Sequence, residues 1–173
     1  MILLLLRHKH HLLEIKMIIK NVVDEDVSNY RKISLFIGFP HCSFKCDKEC
    51  EMKLCQNSSL SKAPNIEVSY DSLVNRYINN PITSAVVLGG LEPFDDFDDL
   101  LNLISEFRKA TSDDIVIYTG YYADEIEDKL SLIKKYENII VKFGRYVPNQ
   151  EPHYDEVLGI KLASTNQYAE RYN

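Results

Sequence analysis

A chain of 173 residues, 45% hydrophobic and 27% charged, holds enough apolar side chain for one compact core and too little for two ordinary domains. Its formal charge of −6 argues against nucleic-acid binding, because neutralising phosphates takes a basic face. All four cysteines fall between residues 42 and 55. A secreted disulfide framework spreads its cysteines to cross-link distant segments, so the clustering points to a reduced intracellular chain that gathers thiolates around a metal.

At the N-terminus an apolar run, residues 2–6, precedes Arg7, His8, Lys9, His10 and His11. It is far shorter than the roughly 20 residues of a bilayer span. Its basic residues follow the apolar run, the reverse of a signal peptide. Residues 1–16 are expected to be a disordered extension and residues 17–173 a single domain. Met17 is an alternative to Met1 as the natural start, and the location is expected to be cytoplasmic with no transmembrane segment.

From there short β-rich runs alternate with amphipathic stretches. Residues 33–38 read as a buried strand that delivers the chain into the cysteines. Leu73, Val74, Tyr77 and Ile78 share one helical face, with Ser69 as cap and Pro81 as stop. Residues 84–88 form the next strand, ending in Gly89-Gly90. A helix carrying Phe97, Leu100, Leu101, Ile104 and Phe107 follows, with Asp95 or Asp96 placed to cap it. Residues 114–118 predict a strand, 124–136 a helix, 138–143 a strand and 157–162 a last strand. This order implies parallel strands with right-handed crossovers. A closed eight-stranded barrel takes about 250 residues, so the room is for a partial barrel or an open sheet. Ligands bind beyond the carboxyl ends of such strands, where the cysteines, Gly89-Gly90 and Thr119-Gly120 all fall.

Cys42, Cys46, Cys50 and Cys55 are separated by three, three and four residues on a single loop. Zinc sites usually pair two C-x2-C knuckles from separate segments, whereas an iron–sulfur cluster can be held on one loop. A zinc-stabilised loop and inert buried cysteines are the bland alternatives. Lys45, Lys48 and Lys53 are expected to favour the ionised thiolates. By themselves, Gly89-Gly90-Leu91-Glu92-Pro93, Tyr118-Thr119-Gly120-Tyr121 and Ser164-Thr165-Asn166-Gln167 read as turns.

Taken in order, these motifs resemble the radical S-adenosylmethionine (SAM) activating enzymes, in particular the anaerobic ribonucleotide reductase activating proteins. Phe39-Pro40-His41-Cys42-Ser43-Phe44-Lys45-Cys46 resembles the start of their cysteine loop, and Cys55-Gln56-Asn57 has the form in which their third cysteine is followed by a residue and then Asn. The resemblance implies a [4Fe–4S] cluster on Cys42, Cys46 and Cys55, with Cys50 as alternative third ligand. Here eight residues separate Cys46 from Cys55, where the family has two. Gly89, Gly90 and Glu92 resemble the family's Gly-Gly-Glu-Pro despite the inserted Leu91. With Thr119 and Asn57 they are the implied SAM-binding residues. The implied fold is an α/β partial (β/α) barrel with mostly parallel strands. The implied activity is installation of a glycyl radical on the large subunit of an anaerobic ribonucleotide reductase, with flavodoxin or ferredoxin as electron donor. A radical SAM enzyme with another target, or a non-catalytic metal-binding protein of the same fold, is the alternative.

Overall fold

The computed structural model describes residues 15–172; the expected extension falls almost wholly outside the described residues. The elements in chain order are β1 (Lys16–Ile19), β2 (Asn21–Asp26), β3 (Ser34–Phe39), α1 (Lys45–Glu49), α2 (Ser58–Lys62), β4 (Ile66–Ser69) and α3 (Tyr70–Ile78). They continue with β5 (Ala85–Gly90), α4 (Phe97–Ala110), β6 (Asp114–Tyr118), α5 (Glu127–Ile133), β7 (Ile139–Phe143), β8 (His153–Asp155), β9 (Ile160–Leu162) and β10 (Tyr168–Tyr172).

A six-stranded sheet in the order β10-β7-β6-β5-β3-β2 organises the molecule. Its four inner strands are parallel, and β2 and β10 close its edges antiparallel. The sheet is open, with no barrel closure among the described residues. The expected last strand over 157–162 is corrected: only Ile160–Leu162 is extended, and it pairs with β8 in a separate hairpin. The sixth strand of the main sheet is β10, a charged edge strand that the sequence pattern did not reveal.

Both faces of the sheet are covered, which is why its inner strands read as largely apolar runs. On one face Leu73, Tyr77, Leu100, Leu103, Ile104, Phe107, Leu130 and Ile133 from α3, α4 and α5 pack against Leu35, Ile37, Val86, Leu88, Ile115 and Ile117. On the other, Tyr30, Leu158 and Leu162 cover Ala85, Val87, Val116 and Ile140. Ser69 caps α3 as expected, accepting from the Ser72 N–H at 3.2 Å, although Ile78 at its end is exposed. Neither Asp95 nor Asp96 caps α4 through its side chain. Their carboxylates face the cysteine loop instead, Asp95 accepting from the Ser43 N–H at 2.6 Å and Asp96 pairing with His41 at 2.5 Å.

Candidate functional site

Four parallel strands end side by side, and each end contributes a loop. β3 runs into the cysteines, β5 into Leu91-Glu92, β6 into Thr119-Gly120 and β7 into Gly144-Arg145. Beyond them lies a cavity of about 390 Å³ whose wall includes Cys42, Cys46, Cys55, Asn57, Gly90, Glu92, Thr119, Lys142 and Arg145. This is where open parallel sheets place their ligands. Of the residues expected to meet, Cys50 and Gly89 are not in that wall.

The cysteine loop is built in two arcs. Phe44 takes a left-handed turn (φ 53) at the start of α1, which carries Cys46 and ends at Cys50. Glu51 turns left-handed again (φ 51), and the chain folds back until Cys55 stands beside α1. Of the three wall thiols, Cys42 accepts a backbone N–H, from Phe44 at 3.2 Å. Hydrogen bonds to sulfur are among the levers that set iron–sulfur potentials.

Burial raises all three thiols. Desolvation pushes Cys42 up to about 12, with Glu92, Asp95 and Cys55 adding to it. Cys46 and Cys55 move the same way for the same first cause. The expectation that nearby lysines ionise these thiols is therefore corrected. The Lys45 ammonium is engaged by Glu125 at 3.0 Å and lies 4.4 Å from the centre of the Tyr121 ring, while Lys48 and Lys53 are exposed. Metal coordination deprotonates a thiol outright, so such thiols become ligands only as the metal displaces the proton. Among the described residues no three His, Cys, Asp or Glu side chains are grouped to hold one metal ion. A cluster distributes its thiolates over several irons, so its cysteines stand further apart than the ligands of a single zinc.

Glu92 is buried in the wall at 4% exposure. Its Oε1 accepts from the Thr119 hydroxyl at 2.8 Å and the Phe94 N–H at 3.2 Å, and its Oε2 from the Gly120 N–H at 2.8 Å. Desolvation raises its pKa to about 7, against these three hydrogen bonds, which lower it. Leu91 does not carry Glu92 away from the site, because the Glu92 N–H is fixed to the His41 carbonyl at 2.8 Å. Gly90 (φ 87) is required by the fold itself: a Cβ there would meet the Gly38 Cα at 2.6 Å. Its carbonyl accepts from the Asn57 side-chain amide at 2.6 Å, which ties the cysteine loop to β5.

Two cations in the wall escaped the sequence reading. Lys142, buried in β7, donates to the Gly144 carbonyl at 2.8 Å, and desolvation lowers its pKa to about 8, opposed by Glu92 and Cys46. Arg145 is 3% exposed; it pairs with Glu125 at 2.5 Å and Glu49 at 3.1 Å and leaves its buried Nε without a partner. The signal for Lys142 lay in the sequence, since a lysine between Val141 and Phe143 in a strand covered on both faces has to lie inside. Residues 164–167 brace this corner: the Asn166 side chain donates to the Arg145 carbonyl at 2.8 Å, and the Ser164 hydroxyl accepts from the Val147 N–H at 3.3 Å.

An open α/β sheet with three half-buried thiols around one cavity beyond its parallel strands defines a metal-cluster scaffold rather than a disulfide-bonded domain. The chain belongs to the 4Fe-4S single cluster domain family, whose model matches residues 31–167. It is thus an iron–sulfur protein of the [4Fe–4S] type. No curated protein matches it. No helix among the described residues is long and apolar enough to cross a membrane.

Proposed function

We propose that this chain is a radical SAM activase in which Cys42, Cys46 and Cys55 hold three irons of a [4Fe–4S] cluster and leave the fourth to the methionyl amino and carboxylate groups of SAM. The observation that carries this reading is that three cysteines, and not the fourth, share one cavity wall with Glu92. When bound and reduced, the cluster with SAM supplies a 5′-deoxyadenosyl radical, methionine being the other product.

The chain's own residues have distinct tasks in this reading. Glu92 accepts from the SAM ammonium group; its Oε2, bonded to Gly120 alone among the described residues, keeps a lone pair for that donor. Thr119 and Gly120 fix the orientation of its carboxylate. Lys142 and Arg145 suit the ligand's carboxylate, and Asn57 holds the cysteine loop against the Gly90 carbonyl. Here the four parallel strands correspond to part of a radical SAM barrel. The face of the sheet opposite the helices is filled by Tyr30, Leu158 and Leu162, so a partner's glycine loop would enter at the strands' carboxyl ends. That partner is an anaerobic ribonucleotide reductase large subunit, with flavodoxin or ferredoxin as the electron donor and the cytoplasm as the setting.

The test is anaerobic reconstitution. About four irons per chain are expected, together with SAM cleavage to methionine and 5′-deoxyadenosine and a glycyl-radical signal once the cognate reductase is added. A loaded cluster whose spectrum ignores SAM and which releases no 5′-deoxyadenosine refutes the enzyme reading. Cleavage without a glycyl radical refutes only the partner.

A further inference from the structure

We infer that Asp47 is the positioning residue that brings Cys55 to the cavity across its long spacer, and so decides which of the two later cysteines completes the thiol set. The inference rests on the reading of Cys42, Cys46 and Cys55 as the cluster ligands.

Eight residues lie between Cys46 and Cys55, and a flexible spacer of that length would let the second thiol wander, since closing a loop carries an entropic cost. The structure closes it through the side chain next to Cys46. Asp47 Oδ1 accepts the Leu54 N–H at 2.8 Å and the Cys55 N–H at 2.9 Å. Its main-chain carbonyl accepts the Met52 N–H at 3.2 Å. The returning arc is therefore fastened to α1 at the residue that follows one wall thiol and at the backbone of the next. A carboxylate suits the task, because one anionic oxygen takes two N–H donors in charge-assisted bonds.

The other tether acts beyond Cys55, where Asn57 reaches the Gly90 carbonyl at 2.6 Å. It anchors the loop to β5 but does not fix Cys55 relative to Cys46. Cys50 has a different fate. Its N–H is bonded to the Cys46 carbonyl at 3.2 Å as the end of α1, and its side chain stands outside the cavity wall. With the arc fastened, Cys55 is the later cysteine that shares the wall with Cys46.

The experiment uses the full chain, first reduced and metal-free, then reconstituted. In Asp47→Ala, iodoacetamide followed by peptide mass spectrometry should label Cys55 about tenfold faster than in the wild type, the change expected for losing a charge-assisted hydrogen bond. Cys42 and Cys46 should label at unchanged rates, which also reports that the fold is intact. Asp47→Asn keeps an acceptor oxygen and should restore most of the protection. On reconstitution, Asp47→Ala should bind well under the wild-type iron and show an altered electron paramagnetic resonance spectrum, with Asp47→Asn close to wild type. Equal Cys55 labelling in Asp47→Ala and wild type overturns the inference. So does a parallel rise at Cys42 and Cys46, because the loss would then be one of general fold. Should Cys55→Ala retain a full cluster while Asp47→Ala still exposes Cys55, the ligand reading fails and the clamp stands. Should Cys55→Ala lose the cluster while Asp47→Ala keeps both cluster and protection, the clamp fails and the ligand reading stands.

Discussion

Glu92→Gln tests the wall of the site through stability alone. Burial raises the Glu92 carboxyl from 4.5 to about 7, despite hydrogen bonds from Gly120, Thr119 and Phe94. The folded chain thus prefers the protonated form. This contribution is fully present below pH 4.5, declines as the unfolded chain ionises first, and is gone once pH has passed the folded value near 7. The whole span corresponds to about 3 kcal/mol, of which about 2.5 kcal/mol falls between pH 5 and pH 8. Glutamine removes the titration. Its amide oxygen can still accept from Thr119, but its NH2 then faces the Gly120 N–H, so the variant also carries a fixed penalty of about 1–3 kcal/mol. Urea unfolding of the reduced metal-free chain at the two pH values separates the effects. The fixed penalty cancels in the difference, and the wild type should lose about 2.5 kcal/mol more than the variant on going from pH 5 to pH 8. Equal pH dependence in the two proteins would refute the claim that Glu92 is held in a desolvated wall.

Further substitutions probe neighbouring features. In Gly120→Ala the new Cβ would sit 3.6 Å from Glu92 Oε2, 3.7 Å from Cys46 Sγ and 3.8 Å from Arg145 Cγ, all ordinary contacts. Melting temperature and iron content should therefore hold, while on the proposed function SAM affinity by equilibrium binding falls about tenfold or more as the space is filled. Lys142→Met should stabilise the chain at neutral pH by up to about 3 kcal/mol, because the folded lysine is desolvated and its acceptor, the Gly144 carbonyl, keeps the Gln167 amide. That gain should be full below pH 8, shrink towards pH 10.5 in urea unfolding, and, on the proposed function, be accompanied by weaker SAM binding. Asp114 is buried, which alone would raise its pKa, but Arg171, Lys32 and Tyr30 hold it at about 2. Its contribution is present above pH 3.8 and lost as pH falls to 2. Allowing for solvent screening at the exposed Lys32 and Arg171, Asp114→Asn should flatten acid unfolding there by about 1 kcal/mol.

What could be read from the sequence divides along the line between local and tertiary causes. The inner strands were legible because a strand covered on both faces is apolar throughout, as in Ala85-Val86-Val87-Leu88. The edges were not. β2 and β10 mix charged residues into edge strands, and β10 is defined by pairing with β7 across many residues of intervening chain. Asp95 and Asp96 show the same limit in another form. Their place before a helix satisfies every local rule for a cap, yet the Ser43 N–H, the Tyr121 hydroxyl and His41 claim their carboxylates.

The cysteine loop joins the two cases. Its spacing marks a metal loop in the sequence, and the expectation grouped Cys42, Cys46 and Cys55, the three that share the cavity wall. Nothing local marks Asp47, because its partners are seven and eight residues further on, beyond the reach of a helical turn or a capping box. The eight-residue spacer and the acceptor that closes it make sense only together. A longer loop that still delivers its last thiol needs a residue near its start to take hold of its end, and a carboxylate beside Cys46 does so with one oxygen.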